Sequence, residues 1–438
     1  MSAVRASAGP SATNRPELKT DVPEKGLEGR TRVLVMSTLG FAVFFAVWVM
    51  FAIVAIPLRK ELGLSEGEFA LLVAIPILTG SLLRVPMGIL TDKVGGRLVF
   101  TALLVVTAVP TYVISRAETY EQLLALAFLL GLGGTSFAVG IAWVSAWYPP
   151  NQQGFALGMF GAGNVGAAIT KLLAPTLVTL VPVAGLAGGL IPGGWRFVPF
   201  VYTGMLLATA LAVWLVTPTP DLRPARERTV RDQLSPLRYL RVWRFGLYYI
   251  IVFGAYVALA LWLPKYYVDV YGLDLRMAGF LTALFIIPAS LLRPLGGYLS
   301  DRLGPRAVTY TAFIVMCGAL LWLMFPLGIV LFTMLIVVVG ATMGIGKASV
   351  YKYIADYFPR DMGAVGGLVG AVGGLGGFML PLVFAWADTV TGRPQSTFTV
   401  LLIGALVCLI WLHVVVVHMR RAEKHGRPYP HPEPSTVP

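Results

Sequence analysis

Twelve apolar runs recur along this 438-residue chain, and they limit what it can fold into more than any other feature. A predominantly apolar run of about 20 residues crosses a bilayer as one helix. The runs fall at 33–57, 69–91, 98–116, 123–147, 154–180, 198–217, 244–268, 277–299, 307–326, 329–355, 364–388 and 396–418. Hydrophobic residues make up 57% of the chain and charged residues 13%, against roughly 45–50% and 25% in soluble proteins. A water-soluble body of this size could not hide that much apolar surface. Lipid is therefore the solvent for most of the chain. A cytosolic enzyme, a DNA-binding protein and a disulfide-stapled secreted domain are excluded. Cys317 and Cys408 lie in apolar runs, and four histidines without a Cys/His cluster predict no metal site.

The runs divide six and six around one long polar connection. The expected organisation is a disordered tail at 1–32, a six-helix bundle at 33–217, a linker at 218–243, a second bundle at 244–418 and a second tail at 419–438. Lys and Arg set the orientation. One side holds 22 of them and the other 7. The basic side is expected to be cytoplasmic, with both termini inside. The net charge of +13 is then an orientation signal rather than a nucleic-acid footprint.

The two halves repeat. Gly88-Ile-Leu-Thr-Asp92-Lys-Val-Gly95-Gly-Arg97 returns 209 residues later as Gly297-Tyr-Leu-Ser-Asp301-Arg-Leu-Gly304-Pro-Arg306. The same offset carries Ser81-Leu-Leu-Arg84 onto Ser290-Leu-Leu-Arg293. Further on, Gly163-Asn164-Val-Gly166 aligns with Gly373-Gly374-Leu-Gly376. Two similar halves related by an axis along the membrane normal suggest alternating access.

Buried charge narrows the cargo. Five basic residues lie within spans: Arg84, Lys171, Arg293, Lys347 and Lys352. No carboxylate lies mid-span. An intramembrane ion is costly and marks a pathway, and cations without anions call for a mobile anion. The repeat puts Arg84 and Arg293 at equal depth in opposite halves. Two guanidinium forks suit a small flat oxyanion through bidentate hydrogen bonds. Alternatively, each arginine caps carbonyls freed by Pro86 and Pro294. Asn164, set among glycines, either donates to an anion or bridges two helices.

The doubled loop pattern G-x-x-x-D-[RK]-x-G resembles the major facilitator superfamily, whose fold is twelve helices in two pseudo-symmetric six-helix halves. In that superfamily these loops lock the interface between the halves, which implies a gating role for Asp92, Arg97, Asp301 and Arg306. Ser81-Leu-Leu-Arg84-Val-Pro86, Leu291-Leu292-Arg293-Pro294, the 161–166 segment and the Gly366–Pro381 run are similar to the nitrate/nitrite porters within it. That resemblance implies a paired-arginine clamp for nitrate or nitrite, with the flat ion between aromatic rings. The matching positions are Phe137, Tyr351, Asn164 and Tyr249, with Gly163, Gly166, Gly373 and Gly374 letting backbone approach the ion. Tyr351 stands where the family would have phenylalanine. Gly346-Lys347 through Tyr353, and Ile169-Thr-Lys171, resemble the proton-coupled branch.

Pulling a monoanion into a negative cell costs about 2.3 kcal/mol per 100 mV. Uptake therefore needs more than one proton per ion, or an exchanged anion. Desolvation disfavours an ammonium and a neighbouring anion favours it, so Lys347, with Lys352 or Lys171 behind it, is the expected proton carrier. The expectation is a monomeric nitrate carrier, with nitrite a second substrate, in a bacterial cytoplasmic membrane. It works by proton symport, without cofactor, enzymatic activity or nucleic-acid partner. A nitrate/nitrite antiporter and a nitrate-binding membrane sensor are the alternatives.

Overall fold

The computed structural model describes residues 27–224 and 228–424; the outer parts of both expected tails, 1–26 and 425–438, lie outside the described residues. The described chain is helical apart from its connections and one isolated β-bridge between Leu186 and Ile191. Eleven helices are long and apolar enough to cross a membrane, and one bent pair supplies a twelfth span. They are α1 (Gly29–Leu62), α2 (Gly67–Leu82 and Arg84–Val94, meeting at 44°), α3 (Gly96–Ile114), α4 (Tyr120–Trp147), α5 (Gln153–Leu180), α6 (Gly194–Val216), α7 (Leu240–Tyr271), α8 (Met277–Leu303), α9 (Pro305–Leu323), α10 (Ile329–Tyr357), α11 (Met362–Thr391) and α12 (Ser396–Met419). Each overlaps one of the twelve runs.

Helix continues beyond the runs at both ends of the chain, back to Leu27 and on to Lys424. Residues 27–32 and 419–424, expected as tail, are therefore helical. A bilayer-spanning helix carries its hydrogen bonding past the apolar zone, so hydropathy alone stops short. The expected linker also holds structure. Val230–Leu234 is a short helix with Thr229 as its N-cap, and α7 starts at Leu240 rather than at 244.

The repeat is visible in the backbone. α2 breaks at Leu83 (φ −87°, ψ 4°) and α8 at Leu292 (φ −84°, ψ 0°), 209 residues apart. Each break comes directly before an arginine and within three residues of a proline, which donates no backbone hydrogen bond. Arg84 and Arg293 therefore open the second segment of a broken span. The two loop motifs also end alike, on Gly95 at φ 102° and Gly304 at φ 82°, a conformation that other residues rarely adopt.

The halves meet through two equivalent crossings. On one, the Gly88 and Gly363 backbones touch; on the other, Gly297 and Gly154 do. One turn deeper, Gly367 lies on the backbone of Arg84 and Val85, and Gly158 on that of Arg293 and Pro294. A side chain at any of these glycines would collide with main chain. Asp92 Oδ2 accepts from the Gly363 amide (3.0 Å), and Asp301 accepts from the Gly154 and Phe155 amides (3.0 and 2.8 Å). Each carboxylate sits on the N-terminus of a helix from the opposite half, where the helix dipole favours negative charge.

A branched side chain at the crossing should force this side apart. With spin labels at Asn151→Cys and Arg302→Cys, Gly154→Val is expected to lengthen the inter-label distance by several ångström in pulsed EPR. An unchanged distance would mean that the crossing does not hold the halves together.

Candidate functional site

At the centre, between the halves, three cations are buried. Arg84 is 1% exposed, and Arg293 and Lys347 are 0% exposed. Among the described residues no carboxylate pairs with any of them. Arg84 Nε donates to the Gly134 carbonyl (3.2 Å) and Nη1 to the Gly370 carbonyl (2.5 Å). These carbonyls belong to α4 and α11, so Arg84 does not cap the positions freed by Pro86. Arg293 makes no hydrogen bond of ordinary geometry from any of its three nitrogens, nor does Lys347 Nζ. The Tyr249 hydroxyl lies beside Arg293 without forming such a bond. A buried donor without an acceptor costs about 1–3 kcal/mol, and more when charged. Unpaired cationic donors concentrated at one place call for an anion.

Phe137 joins the two arginines. The Arg84 guanidinium carbon is 5.4 Å from its ring centroid and that of Arg293 is 5.5 Å away. Tyr249 and Tyr351 pack against the same ring, at 6.2 and 5.1 Å. Among the expected ligands, then, Arg84, Arg293, Phe137, Tyr249 and Tyr351 come together. Gly373 lies against Tyr249, and Gly374 against Ser81 with Arg84 Nη1 beyond it.

The expected aromatic pair needs correction. Phe137 and Tyr351 are perpendicular (89°), so they cannot face one flat ion from both sides. The Tyr351 hydroxyl instead donates to the Gly366 carbonyl (2.7 Å). The ring parallel to Phe137 is Phe253, at 6.1 Å and 6°. It also lies 5.5 Å from the Arg84 guanidinium. A π-helical turn at Ile250–Gly254 stacks Tyr249 on Phe253 at 5.1 Å. Such turns gather at functional sites. Tyr249, Phe253 and Tyr256 follow one another at spacings of four and three residues, one stripe of α7; that spacing is the available signal.

Other expected residues go elsewhere. Gly163 and Gly166 pack on α1, against Phe41, Thr38 and Ala42, and give close helix contact rather than a path to the ion. Gly161 instead faces the Arg293 guanidinium, where a Cβ would collide with it. Asn164 is fully buried, and neither its amide nitrogen nor its oxygen has a partner. It does not hydrogen-bond another helix. Lys347 Nζ sits 3.5 Å from the Tyr256 ring centroid and feels the charge of Arg293.

Lys352 does not share this isolation. It pairs with Asp301 (3.2 Å) and Asp356 (3.0 Å) and donates to the Pro150 carbonyl of the other half. Lys352 is thus paired with two carboxylates and tied to the opposite half at the crossing, unlike Lys347. Arg97 stays within its own half: it donates to Thr219 Oγ1 and the Trp214 carbonyl and covers the Trp214 ring at 4.2 Å. Arg306 lies beside Tyr353 of its own half. Of the four expected gate residues, only the two aspartates cross between halves. The expected linker adds a further tie, Arg228 to Asp361 at 2.7 Å. Burial raises the Asp361 carboxyl, and Arg228 beside it opposes the rise.

Two bundles of six membrane helices that meet around unpaired buried cations at their interface have the build of a membrane carrier. The Major Facilitator Superfamily model matches residues 36–281 and 271–437. A probable nitrate/nitrite antiporter of Thermus thermophilus, NarK1, is 54% identical over 419 residues, covering 91% of this chain and 95% of that protein. The nitrite extrusion protein of Bacillus subtilis is 33% identical, covering 87% of this chain and 94% of its own. A probable nitrate transporter of Staphylococcus epidermidis, NarT, is 30% identical, with 89% and 97% covered. Among solved structures, the transporter FucP in its outward conformation superposes with TM-score 0.70 at 18% identity, over 87% of this chain and 99% of that one. The chain belongs to the Major Facilitator Superfamily, in its nitrate/nitrite porter family.

Removing the unpaired guanidinium should weaken anion binding most. A charge-assisted hydrogen bond contributes about 1.5–3 kcal/mol, so Arg293→Gln is expected to weaken nitrate binding about 10- to 100-fold. Titration calorimetry on detergent-purified protein checks it. Phe253→Ala should weaken binding more than Tyr351→Phe, which keeps the ring.

Proposed function

We propose that this protein carries nitrate, with nitrite as a second substrate, across a bacterial cytoplasmic membrane by alternating access around the Arg84–Arg293 site. The observation that carries the reading is the Arg293 guanidinium, fully buried with no hydrogen bond of ordinary geometry from any nitrogen. A small planar oxyanion supplies acceptors without bringing a fixed charge that would hold the carrier shut. Phe137 and Phe253 offer parallel faces to a flat ion. The names of the similar proteins support the same substrates. The 22-to-7 split of basic residues supports an inside position for both termini and for the Asp92 and Asp301 contacts. Those two carboxylates, with Lys352, are the inner gate.

Coupling to protons is the preferred drive. Lys347 supports it: a buried amine with no carboxylate and no hydrogen-bond partner, against Tyr256 and near Arg293. A proton on Lys347 adds a positive charge where nitrate brings a negative one, so the two load together and leave together. One proton per nitrate cancels the ion's charge and makes the cycle electroneutral, so the membrane potential drives uptake only when a second proton moves with it. Exchange of nitrate for nitrite is the second reading, favoured by the name of the 54%-identical relative. Exchange of like charges needs no proton.

In proteoliposomes with an internal pH dye, nitrate addition is expected to acidify the lumen without internal nitrite. Lys347→Met should abolish the acidification while leaving nitrate counterflow. Flux that requires nitrite inside and leaves the dye unchanged would establish exchange instead.

A further inference from the structure

We infer that Lys171 is the outer latch of this carrier and the first group to meet the incoming anion. The inference rests on the transport reading above and extends it to a residue outside the central clamp.

Pro264 lies inside α7. It has no N–H, so the carbonyl four residues earlier, on Ala260, is left without its helical donor. Lys171 Nζ donates to that carbonyl at 2.7 Å. Lys171 belongs to α5 of the first half and Ala260 to α7 of the second, so this bond ties the halves together. It does so far from the inner contacts: Asp301 holds the start of α5 at Gly154, and Lys171 lies about 25 Å further along that helix. The repeat supplies no counterpart. The alignment that puts Gly163-Asn164 on Gly373-Gly374 carries Lys171 onto Pro381, and the offset of 209 carries Pro264 onto Ala55. The latch is thus an addition to the symmetric fold, not a consequence of it.

Lys171 also lines a cavity of about 40 Å³ between the halves. The other walls include Phe45, Trp48, Ile77 and Tyr256. The volume admits a few water-sized groups, and Lys171 is the one charged residue on its walls. Among the described residues no carboxylate pairs with Lys171. Its only hydrogen-bond partner there is a neutral carbonyl, and charge-assisted bonds between opposite ions are the stronger kind. An anion entering the cavity therefore draws the ammonium off Ala260 and removes the tie. Tyr256 then leads inward, since its ring forms a wall of this cavity and also carries Lys347 Nζ at 3.5 Å. The ion opens the outer gate by occupying its lock and passes from Lys171 toward Lys347 and Arg293.

Two variants separate the bond from the charge. Lys171→Met removes both. Pro264→Ala restores the N–H to Ala260 and frees Lys171 with its charge intact. Spin labels go at Glu118→Cys and Arg393→Cys, on opposite halves at the outer side, with Cys317 and Cys408 replaced by alanine. In pulsed EPR, potassium nitrate should shift the parent toward longer distances, and potassium chloride should not. Both variants should show the longer distance without nitrate. In counterflow of labelled nitrate, Lys171→Met should raise KM about tenfold, and Pro264→Ala should leave it within twofold. Parent-like distances in both variants, or an unchanged KM in Lys171→Met, would overturn the latch. If the parent moves no nitrate at all, the transport reading fails instead, and the variant distances still report whether Lys171 holds the outer side closed.

Discussion

The structure is organised around three buried cations, Arg84, Arg293 and Lys347, that pair with no carboxylate among the described residues. Charge inside a membrane is costly, and a fold keeps it only where it pairs or works. Here Arg84 finds two backbone carbonyls, while Arg293 and Lys347 find none. The free energy of leaving them unpaired must be offset elsewhere. The offset comes from twelve apolar spans and from backbone-to-backbone contacts at glycines on both crossings. A carboxylate placed at the centre would supply the partner that Arg293 and Lys347 lack.

The same broken-helix device serves both halves. A break at Leu83 or Leu292, followed by an arginine and a nearby proline, turns a through-going span into two segments. The arginine then projects from the start of the second segment toward the axis between the bundles. Beyond it the helix continues to Asp92 or Asp301, which reaches across to the N-terminus of a helix in the other half. Site and crossing thus lie on one rigid segment, about two turns apart. A rigid shift at the arginine would carry the carboxylate with it.

Where the two halves differ is as informative as where they match. Lys347, Lys171 and the Lys352–Asp301 pair have no partners under the repeat, and neither does Pro264. Symmetry builds the frame and the arginine pair. The lysines without carboxylate partners make one face of the centre unlike the other.

Much of this was legible beforehand. Apolar runs define the spans because a bilayer leaves no other way to satisfy the backbone, and the offset of 209 fixed which arginines correspond. What could not be read was contact. Glycines that pack helices and glycines that border a site look alike in sequence, so Gly163 and Gly166 were expected at the ion while Gly161 meets Arg293. Phe253 is one aromatic among many in an apolar span, and only the π-helical turn in α7 sets it parallel to Phe137. Lys352 looked as free as Lys347 until folding brought up Asp301, 51 positions away in the chain. Sequence by itself determined the solvent, the number of spans, the twofold plan and the sign of the buried charge, since those follow from composition and periodicity. Which charges stay unpaired was decided only by the tertiary structure, because pairing depends on distances between helices that no local pattern encodes.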